Sequence, residues 1–220
     1  MLSRILEPEV MDTLAEAVDY NSMDHSEVNR RFVDDLLSAW GSAERPAGDI
    51  LDLGTGTALI PIELCRSDPA LHVTAVDLAE HMLAIAGRNV IDSGLTDRIK
   101  LERVDAKRLS YPDGHFAVVM SNSIVHHIPE PHTVLAEAVR VTARSGLIFV
   151  RDLMRPPDGN ALESLVAQYA GAANDHQQAM FAASLHAALT LEEIQELVAG
   201  LGFPGESVEA TSDRHWTWST

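Results

Sequence analysis

Short runs of apolar residues alternate with longer amphipathic stretches through the middle of the chain. Asp49–Leu53 (DILDL), Leu71–Val76 (LHVTAV), Ile99–Val104 (IKLERV), Phe116–Ser121 (FAVVMS) and Gly146–Val150 (GLIFV) read as strands. Between them, residues near 57–67, 79–93 and 131–143 carry apolar side chains at helical spacing. In the last stretch, Val134, Leu135, Ala138, Val139 and Val141 make the stripe. Alternation of this kind implies right-handed crossovers and an α/β fold with a doubly wound, mainly parallel sheet.

Outside that core, residues 9–19 and 26–40 read as two N-terminal helices around a Tyr20–His25 loop. Residues 160–185 read as helix, with Gly171 and Asn174 as breaks. Thr190 and Glu193 form a capping box for a helix Leu191–Ala199 that stops at Gly200 or Gly202. The tail 207–219 alternates around Ser212-Asp213-Arg214, which predicts a terminal antiparallel hairpin and brings the sheet to seven strands. No repeat or linker divides the chain, so a single domain over residues 1–220 is expected.

Composition narrows the partners. The 220 residues carry 33 acidic and 16 basic side chains, a formal net charge of −17. That field repels a phosphate backbone and an anionic membrane surface, so neither nucleic acid nor membrane is an expected partner. Cys65 is the one cysteine, which excludes an intrachain disulfide and a Cys-rich metal site. The N-terminus turns acidic at once and lacks the apolar core of a signal peptide. A soluble, cytoplasmic protein is the expectation, with a homodimer left open.

The informative chemistry begins at Ile50-Leu51-Asp52-Leu53-Gly54-Thr55-Gly56-Thr57-Ala58, two glycines in a tight turn between a strand and a helix. Glycine serves there because the backbone turns sharply and lets a ligand approach without a Cβ in the way. A GxG alone is weak. Asp77, at the end of the second strand, strengthens it, because a carboxylate at the switch point of such a sheet can accept both ribose hydroxyls. A dinucleotide site would have a third glycine where Leu59 stands, and Asp52 would repel its pyrophosphate. Both departures favour a cationic, methionine-type ligand over NAD.

In this order and spacing, the residues resemble the class I S-adenosylmethionine-dependent methyltransferases, most closely the small-molecule branch of ubiquinone/menaquinone-type C-methyltransferases. The resemblance runs over residues 48–155 and includes Ala75–Leu78, Val104–Ala106, Tyr111–Phe116 and Ser121–Ile128. Ala117 departs from it, since relatives commonly show Asp after the Phe. It implies a Rossmann-like fold in which 1–47 form a helical cap, 48–155 the cofactor-binding core, and 156–220 lid-like helices, the last helix and the hairpin. It also implies S-adenosylmethionine as cofactor, S-adenosylhomocysteine as product and a small-molecule acceptor. Gly54, Thr55 and Gly56 would lie against the methionine moiety and Asp52 would hold its amino group. Asp77 would bind the ribose, with Leu78 and Met82 on the adenine and Asp105 and Ala106 on its edge. Asn122 would line the crevice near the sulfonium, and Tyr20 would fold over the cofactor.

Methyl transfer needs alignment above all, and a base only if the nucleophile starts protonated. His126 and His127, after the fourth strand, are candidates for that base, against the alternative that one faces the following helix. Arg151 is a candidate for gripping an acceptor carboxylate or phosphate, against a pair with Asp152 or another surface group. His176, His186 and Tyr169 are weaker candidates for acceptor contact, and Trp216 and Trp218 read as sheet packing. No metal is expected: no helix carries HxxxH or HExxH, although His126, His127 and His132 could meet Asp152 or Asp175. The competing functions are a non-catalytic S-adenosylmethionine-binding protein and, further behind, an NAD oxidoreductase.

Overall fold

The expected strands pair into one seven-stranded sheet, in the order β3-β2-β1-β4-β5-β7-β6. The structure, a computed structural model, describes residues 2–8, 10, 12–41 and 49–220. The strands are β1 (Ile50–Leu53), β2 (Val73–Asp77), β3 (Ile99–Arg103), β4 (Phe116–Asn122), β5 (Thr142–Leu153), β6 (Val208–Ala210) and β7 (His215–Ser219). β1 to β5 run parallel, and β7 joins them antiparallel between β5 and β6. The helices are α1 (Leu14–Ser22), α2 (Ser26–Trp40), α3 (Leu59–Ser67), α4 (Glu80–Asp92), α5 (Pro131–Val141), α6 (Gly159–Ala170), α7 (Asp175–Ala187) and α8 (Leu191–Gly200). Among the described residues no helix is long and apolar enough to cross a membrane.

Strand alternation divides the core into two layers. Leu51, Leu53, Val119, Ile148 and Val150 point to one face, where they meet α5, α8 and both hairpin tryptophans. Ile50, Val118, Met120 and Phe149 point to the other, against Phe32 and Leu36 of α2 and Ile62 and Cys65 of α3. β1 has β2 on one side and β4 on the other, so the crossovers reverse direction there and leave a crevice beyond its carboxyl end.

Two elements differ from expectation. α1 starts at Leu14 because Thr13 caps it, its hydroxyl accepting the Glu16 N–H while the Glu16 carboxylate accepts the Thr13 N–H. Tyr20 therefore lies in the helix and not in a loop, while positions 9 and 11 of the expected helix fall outside the described residues. β5 extends to Leu153, well past Val150, because its polar residues Arg151 and Asp152 are buried with partners on opposite faces. The expected break in 160–185 is present, with Asn174 capping α7 through a box with Gln177.

Trp216 and Trp218 are fully buried on one face of β7. Trp216→Ala removes a large core side chain and is expected to lower the unfolding free energy by about 3–5 kcal/mol. Urea titration followed by circular dichroism checks this; an unchanged midpoint would mean that the hairpin is an appendage.

Candidate active site at the switch point

The crevice is built by the turn after β1. Gly54 has φ +71° and sits against Ile124, so a Cβ there would run into the isoleucine side chain. The N–H groups of Gly54 and Thr55 both donate to the Val76 carbonyl at 2.9 Å, which ties the turn to β2. The Gly56 N–H donates to Asp77 Oδ2 at 2.7 Å and the Ala79 N–H to Oδ1 at 2.9 Å. The turn continues into α3 through Ala58, itself left-handed at φ +62°. Asn89 of α4, which carries no signal in the sequence, donates to the Thr57 carbonyl and to Asn21, lacing the turn to α1.

Tyr20, Asn29, Asp52, Gly54, Thr57 and Asn122 line the cavity at this point. Asn29 was not expected; its helical stripe on α2 is its only sequence signal. Asp52 is 2% exposed. Burial pushes its carboxyl up to about 7, and the neighbouring Asp77 charge adds to the push. Burial also raises Asp77, against the backbone N–H groups that favour its charge. The Tyr20 ring lies over Gly56, stacks on His25 with centroids 4.6 Å apart, and has its phenol raised by burial and by Asp52 and Asp77. A tyrosine thus closes the crevice over two carboxylates.

Met82, Leu78, Asp105 and Ala106, also expected at the cofactor, do not line this cavity. Met82 is buried against Ala17, Ala79 and Ile85, where it joins α1 to α4, and Leu78 is half-buried at the end of β2. Asp105 Oδ1 accepts the Lys107 N–H at 2.9 Å and pairs with its Nζ at 3.0 Å, while Ala106 packs on the core.

His126 and His127 sit on a short 3-10 turn (Val125–His127) and do not line that cavity. Asp152, fully buried, holds the turn: Oδ2 accepts the Val125 N–H at 2.5 Å, and Oδ1 lies 2.5 Å from His126 Nδ1. Burial opposes charge on His126, but Asp152 outweighs it and keeps the imidazole above its ordinary pKa. Burial and the His126 charge bring His127 down to about 3. Residues 2–8 cross over both rings. Arg4 fastens this strap, donating to the carbonyls of Ala187, His126 and Ile128 at 2.7–3.2 Å, and Ile5 N–H donates to His186. Glu7 then reaches His127 Nδ1 at 3.2 Å and His126 Nε2 at 3.5 Å.

Arg151 corrects one expectation. Its Nε donates to Thr217 and a terminal nitrogen to Asp35 at 2.7 Å, and its guanidinium lies 5.7 Å from the Phe32 ring centre. It is buried, fastens α2 to the sheet, and neither meets the crevice nor pairs with Asp152. Tyr169 is also committed elsewhere, donating to Asp213 under the Arg214 guanidinium. Of the residues offered for a metal, His132 and Asp175 stay apart from the histidine pair, whereas the unforeseen Glu7 joins it.

Residues 50–146 match the model of a methyltransferase domain. The chain is 27% identical over 195 residues to the 27-O-demethylrifamycin SV methyltransferase of Amycolatopsis mediterranei, covering 88% of this chain and 67% of that one. It is 34% identical over 104 residues to the phosphatidylethanolamine N-methyltransferase of Cereibacter sphaeroides, about half of each chain. A putative S-adenosylmethionine-dependent methyltransferase of Methanococcus maripaludis shares the fold over 99% of this chain and 95% of its own, with a TM-score of 0.72 at 18% identity. The chain spans two thirds of the first curated relative and about half of the second. The glycine turn between two strand-end carboxylates, the sheet order and these matches agree: over residues 50–146 the chain is similar to a methyltransferase domain.

Proposed function

We propose that this protein moves the methyl group of S-adenosylmethionine to a small-molecule acceptor, releasing S-adenosylhomocysteine, and that it works in the cytoplasm. The observation that carries the cofactor side is the pair Asp52 and Asp77 on either side of the glycine turn. Asp52, buried beside Gly54, suits the ammonium of a methionine moiety; Asp77, held by two backbone N–H groups, suits the ribose diol. Gly54, Thr55, Gly56 and Asn122 complete that side, Leu78 and Met82 flank the adenine, and Asp105 and Ala106 read its edge. Tyr20 covers the cofactor and excludes water.

In the transfer, the acceptor's lone pair forms a bond to the methyl carbon as the carbon–sulfur bond breaks, and the sulfur keeps the electron pair as a neutral thioether. The protein's contribution is alignment, together with a destination for a proton when the acceptor is a hydroxyl. His126 supplies that destination at Nε2, since Asp152 holds Nδ1–H and so fixes the tautomer. Because Nε2 faces Glu7, the strap shifts for an acceptor to reach it. His127, kept neutral, borders the same approach. The net charge of −17 argues against a nucleic-acid acceptor.

Three measurements test this reading. Asp77→Ala loses two charge-assisted hydrogen bonds to ribose, so S-adenosylmethionine affinity falls at least about 100-fold by calorimetry; retained affinity removes the ribose assignment. The ligand's ammonium favours the ionised Asp52, whose carboxyl titrates at about 7. Affinity is therefore full above that pH and is lost below it, by about fivefold to tenfold between one unit above and one unit below. The slope should vanish in Asp52→Asn. His126→Asn should cut kcat for a hydroxyl acceptor by about 10²–10⁴ with S-adenosylmethionine affinity little changed. A wild-type protein that binds the cofactor and gives no S-adenosylhomocysteine with any acceptor would be a binder only.

A further inference from the structure

Glu7 Oε1, His126 Nε2 and His127 Nδ1 converge within 4.8 Å of one another under the strap. The carboxylate oxygen stands 3.2 Å from His127 Nδ1 and 3.5 Å from His126 Nε2. Donors bound tetrahedrally to one ion at zinc-like bond lengths lie about 3.4 Å apart, so these separations need little adjustment. Both Glu7 Oε1 and His127 Nδ1 are buried without a hydrogen-bond partner, which is costly for a carboxylate and an imidazole facing each other. His126 is 3% exposed, and Asp152 takes its Nδ1, leaving the Nε2 lone pair aimed at the other two donors. A carboxylate behind a ligating histidine is the outer-shell arrangement that orients such a ligand and raises its basicity.

We propose that Glu7, His126 and His127 form a binding site for one divalent transition-metal ion of the zinc type, with Asp152 as the positioning residue behind His126. Two imidazoles and one carboxylate suit Zn²⁺ or Co²⁺ and leave a fourth position open. Glu7 and His127 keep 14% and 17% of their side chains exposed, so the site lies just beneath the surface. The competing occupant is a proton shared between Glu7 and His127. The binding site stands independently of methyl transfer; only its consequence rests on the proposed function. An ion on His126 Nε2 occupies the nitrogen that would receive the acceptor's proton and pins the strap in place. Metal loading and base-assisted transfer therefore exclude each other.

The test uses untagged full-length protein stripped with a chelator and titrated with Co²⁺ alone, read by visible d–d absorption, and with Zn²⁺ alone, read by calorimetry. One equivalent should bind, Glu7→Gln and His127→Ala should each weaken it at least about tenfold, and Asp152→Asn about 10–100-fold. Zn²⁺ should raise the Tm of the wild type and not that of Glu7→Gln. S-adenosylmethionine affinity, measured on the same variants, reports whether each is folded. No stoichiometric binding, or binding that both ligand variants leave undiminished, overturns the site. Neither result touches the cofactor assignment, which fails only if S-adenosylmethionine itself does not bind.

Discussion

The left-handed backbone at Gly54, pressed against Ile124, decides how β1 hands the chain to α3, and the crevice is measured from it. A side chain at that position would push apart the turn after β1 and the turn after β4. With glycine, the two approach, and the loop's N–H groups fall within reach of the Val76 carbonyl and the Asp77 carboxylate. One missing Cβ thus lets the ends of β1 and β4 share a single pocket. The protonation of that region follows from the same closeness: burial raises both Asp52 and Asp77, and the Asp77 charge raises Asp52 further.

The fold was legible because its signal is repetitive. Five apolar runs separated by helical stripes specify a parallel sheet even when each boundary is uncertain by a residue or two, and the hairpin followed from a turn between alternating residues. The cofactor side was legible for another reason: Asp52, Gly54, Gly56 and Asp77 lie at strand ends, where sequence position translates directly into spatial position. Tyr20, Asp52, Gly54 and Asn122 line one cavity.

What escaped was whatever depends on side-chain direction or on contacts between distant parts of the chain. Arg151 read as an acceptor grip or as one of a polar pair with Asp152, yet a strand sends neighbours to opposite faces, and each found its own partner there. Arg151 went to α2, 116 residues earlier, and Asp152 to the histidine turn. Glu7 had no local signal at all. It reaches His126 because Arg4 is anchored to carbonyls on α7 and beyond the histidine turn, a placement that no spacing in the first ten residues could foretell.

That strap has a bearing on how the molecule is assembled. The Arg4–Ala187 bond closes a span of 183 residues, so the strap docks only after residue 187 has been made. The strap contributes no strand to the sheet and no lining residue to the crevice. Ile5 and Leu6 stay largely exposed, so little apolar area holds the strap beyond its backbone and arginine bonds. Opening of this segment therefore requires far less free energy than global unfolding. Its opening uncovers the histidine turn and breaks none of the hydrogen bonds that hold the glycine turn.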